Sequence, residues 1–130
     1  MADALVGAGA VAAGALIGGP ARFFLSQIIA KHAGEKFPWG TLAVNISGCF
    51  AMGVLASYAG AHGFSAQSPF WLLFATGLLG SYTTVSSFAF QTLALAHDGQ
   101  RRTAMRYAVL SVAFCVSAVA AGYALADLYA

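Results

Sequence analysis

Four long apolar stretches, joined by short connections, leave this chain few folds to choose from. They run over residues 4–30, 39–61, 69–96 and 103–126. Each matches the roughly 20 residues that an α-helix needs to cross about 30 Å of hydrocarbon. Once these are set aside, 130 residues leave no room for a soluble domain of useful size. Composition agrees: 60% of the chain is hydrophobic and 8% is charged, against about 25% charged in ordinary soluble domains. The sequence therefore predicts an all-α membrane protein, one domain over 1–130, with four transmembrane helices. The first apolar run lacks a basic region before it and a cleavage site after it, so it is expected to be a retained helix rather than a signal peptide.

The third stretch is polar where it should be greasiest. From Gly77 to Gln91 it reads Gly-Leu-Leu-Gly-Ser-Tyr-Thr-Thr-Val-Ser-Ser-Phe-Ala-Phe-Gln. Gly77 and Gly80 permit unusual backbone angles, and Ser81, Thr83, Thr84, Ser86 and Ser87 can draw hydrogen bonds away from the backbone. The third helix is expected to break there, near the membrane centre. In hydrocarbon an unpaired backbone group costs several kcal/mol, so a break at that depth implies irregular backbone packed in protein or lining a watery cavity, where it can coordinate ions.

The remaining polar residues fall in order along the chain. Gly14 and Gly18 form a small-xxx-small pair in the first span, suited to close packing or simply a product of its Gly/Ala richness. Arg22, in the last third of that span, is read as a structural anchor. Lys31, His32, Glu35 and Lys36 are assigned to the first connection, and Trp39, Phe70 and Trp71 mark membrane interfaces. Thr41, Asn45 and Gly48 share one face of the second span, where the Asn45 amide either ties two helices together or offers donors to a permeating ion. Tyr107, Ser111 and Cys115 form one stripe of the last span, lining a pore or packing helices. Cys49 and Cys115 read as isolated packing residues, neither a disulfide framework nor a metal motif.

All six basic residues, Arg22, Lys31, Lys36, Arg101, Arg102 and Arg106, belong to the side reached by the first and third connections. By the positive-inside rule that side is cytoplasmic, with both termini and the His62 connection outside, in a multi-pass protein of the cytoplasmic (inner) membrane. No nucleic-acid partner is expected, only membrane lipid and other membrane protein. An enzyme is not expected either: no nucleophile-base pair is recognisable, and His32, His62 and His97 are dispersed near loops.

Taken together, these motifs resemble the CrcB/Fluc fluoride channels over nearly the whole chain. Residues 18–23, Gly-Gly-Pro-Ala-Arg-Phe, look like that family's glycine-arginine-aromatic motif, and residues 38–45, Pro-Trp-Gly-Thr-Leu-Ala-Val-Asn, are close to its second-span signature. Residues 77–84 resemble its third-span break. The resemblance implies antiparallel dimers and passive fluoride export. It also implies a structural sodium ion at the dimer centre, held by the carbonyls of Gly80 and Thr83, and an anion path involving Asn45, Ser87, Phe88, Tyr107 and Ser111. The chain departs from the family pattern where Val85 replaces the first of two pore phenylalanines and Gln91 replaces a glutamate. Cys115 and Val119 stand where further hydroxyls are usual.

Fluoride is small and tightly hydrated, so a selective path must replace its water with donors such as the Asn45 amide and the Ser87 and Ser111 hydroxyls. The ring edge of Phe88 carries the positive part of its quadrupole and suits an anion. The charge bias and the missing phenylalanine point to an inverted paralogue as the natural partner. Two other readings compete: a non-conducting scaffold subunit, and a small multidrug exporter. The exporter needs an intramembrane carboxylate, whereas Asp3, Glu35, Asp98 and Asp127 lie at ends or in loops.

Overall fold

Apolar length dictates the architecture. The computed structural model describes residues 1–34 and 36–129. It contains four helical segments long and apolar enough to cross a membrane: Ala2–Ala33, Trp39–Ala61, Pro69–His97 and Arg101–Asp127. We label Ala2–Ala33 α1, Trp39–Ala61 α2, Ser86–His97 α4 and Arg101–Asp127 α5. Residues 69–82 form α3, an α-helical start at Pro69–Trp71, a wider π-helical stretch at Leu72–Leu79 and a last α-turn at Gly80–Tyr82. No strand occurs among the described residues. The chain is an all-α, four-span membrane protein.

Glycine sets how the helices meet, because close backbone approach replaces the hydrophobic drive that lipid removes. On α1, Gly7, Gly14 and Gly18 are buried. They follow α3 in order, Gly7 on Leu72, Gly14 on Leu73 and Leu78, and Gly18 on Leu78 and Ser81, so α1 and α3 run parallel. The pair Gly14 and Gly18 is thus a dedicated contact, and Gly77 answers it from α3 by lying against Val11 and Gly14. On the other side α2 and α5 also run parallel, with Gly53 on Val119 and Tyr123, and Gly122 on Phe50. Gly40 seats α2 against the backbone of Ser26, which joins the two pairs.

These contacts carry a stability prediction. A β-carbon at Gly18 would meet the Leu78 carbonyl and the Ser81 hydroxyl, whereas one at Gly9 meets nothing within 4 Å. Gly18→Ala is therefore expected to lower stability by about 1–3 kcal/mol, the usual range for overpacking. Gly9→Ala is expected to leave it unchanged or raised. Thermal unfolding in detergent compares the two directly.

Two sequence expectations need correction. α1 continues to Ala33, so Lys31 and His32 close a helix instead of opening a loop; the His32 ring stays on that helix, 2.8 Å from the Ile28 carbonyl. Glu35 lies outside the described residues. The glycines do not break the third span: Gly77 lies within the π-helical stretch and Gly80 has ordinary helical angles, φ −63° and ψ −33°. Helical structure instead lapses over residues 83–85, where Thr83 turns extended at φ −80° and ψ 161°. The glycines serve packing, and side-chain hydrogen bonds make the interruption.

Candidate functional site: a clasped helix interruption between polar clefts

Four hydrogen bonds build the interruption. The Asn45 side chain reaches across from α2 and satisfies both backbone groups of Thr84: its Nδ2 donates to the Thr84 carbonyl at 2.8 Å, and the Thr84 amide donates to its Oδ1 at 2.8 Å. Thr84 then starts the next helix, since its Oγ1 accepts from the Ser87 amide at 3.1 Å, three residues on, as an N-cap does. Its hydroxyl also donates to Ser87 Oγ at 3.1 Å. Ser81 and Thr83 turn their hydroxyls back to the carbonyls of Gly77 and Leu79. Ser47 on α2 meets the Tyr82 hydroxyl at 2.9 Å, a second tie from α2. Buried polar groups in a membrane need such partners, and nearly every one at the interruption has one.

The clasp has a consequence for two carbonyls. In a continuous helix the Thr84 amide would donate to the Gly80 carbonyl and the Ser87 amide to the Thr83 carbonyl. Asn45 Oδ1 takes the first amide and Thr84 Oγ1 the second. The interruption therefore releases the carbonyls of residues 80–83, those of Gly80 and Thr83 among them. Both line a cavity of about 310 Å³ between α2, α5 and the interruption.

Two further clefts, with hydroxyl and amide groups among their apolar walls, lie near the interruption. One, of about 180 Å³, is lined by Arg22, Ser26, Thr41, Thr84 and Ser87. A second, of about 350 Å³, shares Ser26 and Thr41 and adds Gln91 and Asp98. The shared residues make the two neighbours, so a string of hydroxyl and amide groups leads from the Asp98 end to the start of α4. A guanidinium and a helix N-terminus face the same small cleft, and both favour an anion.

Phe88, Gln91 and Tyr107 form a second group. Tyr107 is fully buried, at 0% exposure, and donates from its hydroxyl to Gln91 Oε1 at 3.0 Å. Phe88 lies against it with ring centroids 5.3 Å apart, and Phe37 packs edge-on at 5.5 Å. The bond fixes the Gln91 amide by its oxygen and leaves the amide nitrogen as donor on the larger cleft. Tyr107→Phe is expected to cost about 0.6–1.7 kcal/mol, the range measured for hydrogen bonds between membrane helices. A double-mutant cycle with Gln91→Leu, read by thermal unfolding, should return most of that as coupling.

The structure thus brings together Asn45, Thr84, Ser87 and Arg22 at the interruption, and Phe88, Gln91 and Tyr107 below it. Ser111 is buried on α5, 6% exposed, and its Oγ has no hydrogen-bond partner, a state shared with Ser57. Ser26 and the Gln91–Tyr107 bond were missed from sequence, and Thr41 and Thr84 were named there without their cleft and capping roles. The capping role of Thr84 was findable, since a threonine just before a helix start is a favoured N-cap. The Gln91–Tyr107 pair, 16 residues apart on different helices, left no local signal.

The family of CrcB-like proteins, described as Camphor Resistance (CrcB), matches residues 9–123. A relative from Rhodopseudomonas palustris (strain BisB18), named fluoride-specific ion channel FluC 2, is 53% identical over 122 residues, 92% of each chain. FluC 2 of Bradyrhizobium diazoefficiens is 44% identical over 125 residues, 95% of this chain and 90% of the relative. The fluoride-specific ion channel FluC of Rhodospirillum rubrum is 45% identical over 114 residues, covering 87% and 88%.

Proposed function

This chain belongs to the CrcB-like family, and from that premise we propose that it is a subunit of a fluoride-specific channel giving passive fluoride export across the cytoplasmic membrane. The observation that carries this reading is the clasped interruption, with Arg22, Ser87 and the α4 N-terminus facing one cleft. Each is a donor or a positive end, and among the described residues no carboxylate lines that cleft. The larger cleft, with Ser26, Thr41 and the Gln91 amide, supplies donors where a hydrated anion would shed water. Ser111, buried and without a partner, has an unspent hydroxyl proton to offer. Asn45 spends one N–H on Thr84 and keeps the other. The ring edge of Phe88 completes the path beside Tyr107.

A structural sodium ion fits the residues present. Hard carbonyl oxygens suit a hard cation, and the carbonyls of Gly80 and Thr83 are among those deprived of their helical donors. They would hold the ion, whose part is to fix the interruption; nothing in the anion path runs through it.

The working assembly is an antiparallel dimer, with this chain's termini outside and an inverted paralogue as its partner. Val85, where the family pattern has a phenylalanine, is 79% exposed and so points away from its own subunit, as a residue meeting another subunit would. The numbered names of the relatives fit genomes that hold more than one such chain.

Liposomes carrying the chain with its partner should release fluoride while retaining chloride. Equal leakage of both ions would overturn the selectivity, and no flux in any subunit combination would favour the scaffold reading.

A further inference from the structure

The two cysteines, isolated in sequence, meet in the fold. α2 and α5 run parallel with Gly53 on Val119, and one helical turn earlier on each helix stand Cys49 and Cys115. Both are free thiols, and both line one cavity. Met52, one turn along α2 from Cys49, lines the same cavity of about 310 Å³. Three sulfur-bearing residues from two helices therefore border one space, whose other lining residues include Asn45, Leu79 and Thr83.

We propose that Cys49, Cys115 and Met52 form a binding site for a soft monovalent cation of the copper(I) and silver(I) class. Thiolate and thioether sulfur are soft donors that select such ions, and two or three of them satisfy an ion that favours low coordination. Hard hydrated cations gain little here, since weak sulfur donors do not replace their water. Charge balance suits the membrane interior. As silver(I) binds, one S–H bond breaks and one S–Ag bond forms, the proton passing to the buffer. The second thiol and the thioether remain neutral donors, so the site carries no net charge into low dielectric. Gly80 and Thr83 line the same cavity, but their carbonyls are hard donors, so the two sets call for different ions. The site does not rest on the proposed function.

Silver(I) is the probe, added as nitrate to purified protein in chloride-free detergent buffer, with bound metal counted by elemental mass spectrometry after gel filtration. The expected result is one silver per protomer, retained in excess sodium. Cys49→Ser and Cys115→Ser should each weaken retention at least tenfold, and the double variant should hold none. Met52→Leu should weaken it less. Silver should also shield both thiols of the unsubstituted chain from maleimide labelling. Monodisperse elution and unchanged helical circular dichroism establish that the variants are folded. The proposal is overturned if the unsubstituted chain holds no silver, if a single serine variant binds as it does, or if silver leaves labelling unchanged.

Discussion

Asn45→Asp should abolish fluoride flux in reconstituted liposomes, by about a hundredfold or more, while leaving a folded protein. Two effects act together. Asn45 faces the interruption with both ends of its amide engaged, at 2.8 Å to the Thr84 amide and 2.8 Å to the Thr84 carbonyl. An aspartate keeps the acceptor but has no N–H, so the carbonyl loses its donor and faces a second oxygen. The new negative charge then repels an anion beside it. At an effective dielectric near 20, two unit charges about 4 Å apart cost about 4 kcal/mol, close to a thousandfold in occupancy. Asn45→Ala separates the two effects. It removes both hydrogen bonds and adds no charge, so it should cost stability, about 1–3 kcal/mol for two interhelical bonds, and depress flux less than aspartate does. If Asn45→Asp conducts like the unsubstituted chain, Asn45 is only a clasp and the anion passes elsewhere.

How much of this was legible beforehand follows from the range over which each cause acts. Span number and approximate length come from local apolarity, which is written in consecutive residues, and the four spans were found within a few residues of their observed ends. That the polar run in the third span disrupts the helix was also local information. Where it does so was not. Sequence reading spread the break over residues 77–91, on both glycines and the serines and threonines that follow, but the glycines stay helical, Gly77 packing on α1, and the lapse falls at residues 83–85 alone. Thr83 turns extended because Asn45, 39 residues away, captures the Thr84 backbone. No window along the chain contains that cause. Cys49 and Cys115 show the same limit, since only the parallel register of α2 and α5, set by Gly53 and Gly122, makes them neighbours. Asn45 was singled out because an amide in hydrocarbon is conspicuous; its partner, a backbone group, is invisible in any sequence.

Purified alone and reconstituted, this chain should conduct fluoride weakly or not at all, and coexpression with an inverted paralogue should restore it. An antiparallel pair needs both orientations in one membrane. All six Lys and Arg residues lie on or near the ends that share the first and third connections, and the positive-inside rule then favours one orientation almost exclusively. The second reason is geometric. Phe88 is seated against Tyr107 within its own subunit, whereas Val85 projects outward, 79% exposed. If each path draws one ring from each subunit, as the family resemblance implies, a self-dimer lacks a ring in both paths. A partner with both phenylalanines completes one path and leaves the other degenerate. Val85→Phe supplies the ring without altering charge, so it should raise flux through a self-dimer assembled from detergent, where orientation is no longer fixed by insertion. It should do nothing for orientation in cells. Reporter fusions at both termini read the orientation, and fluoride efflux from liposomes reads the path. Comparable amounts of both orientations, together with full conduction by the lone unsubstituted chain, would remove the need for a paralogue. Single orientation with silent self-dimers, rescued by Val85→Phe, would locate the defect at that side chain.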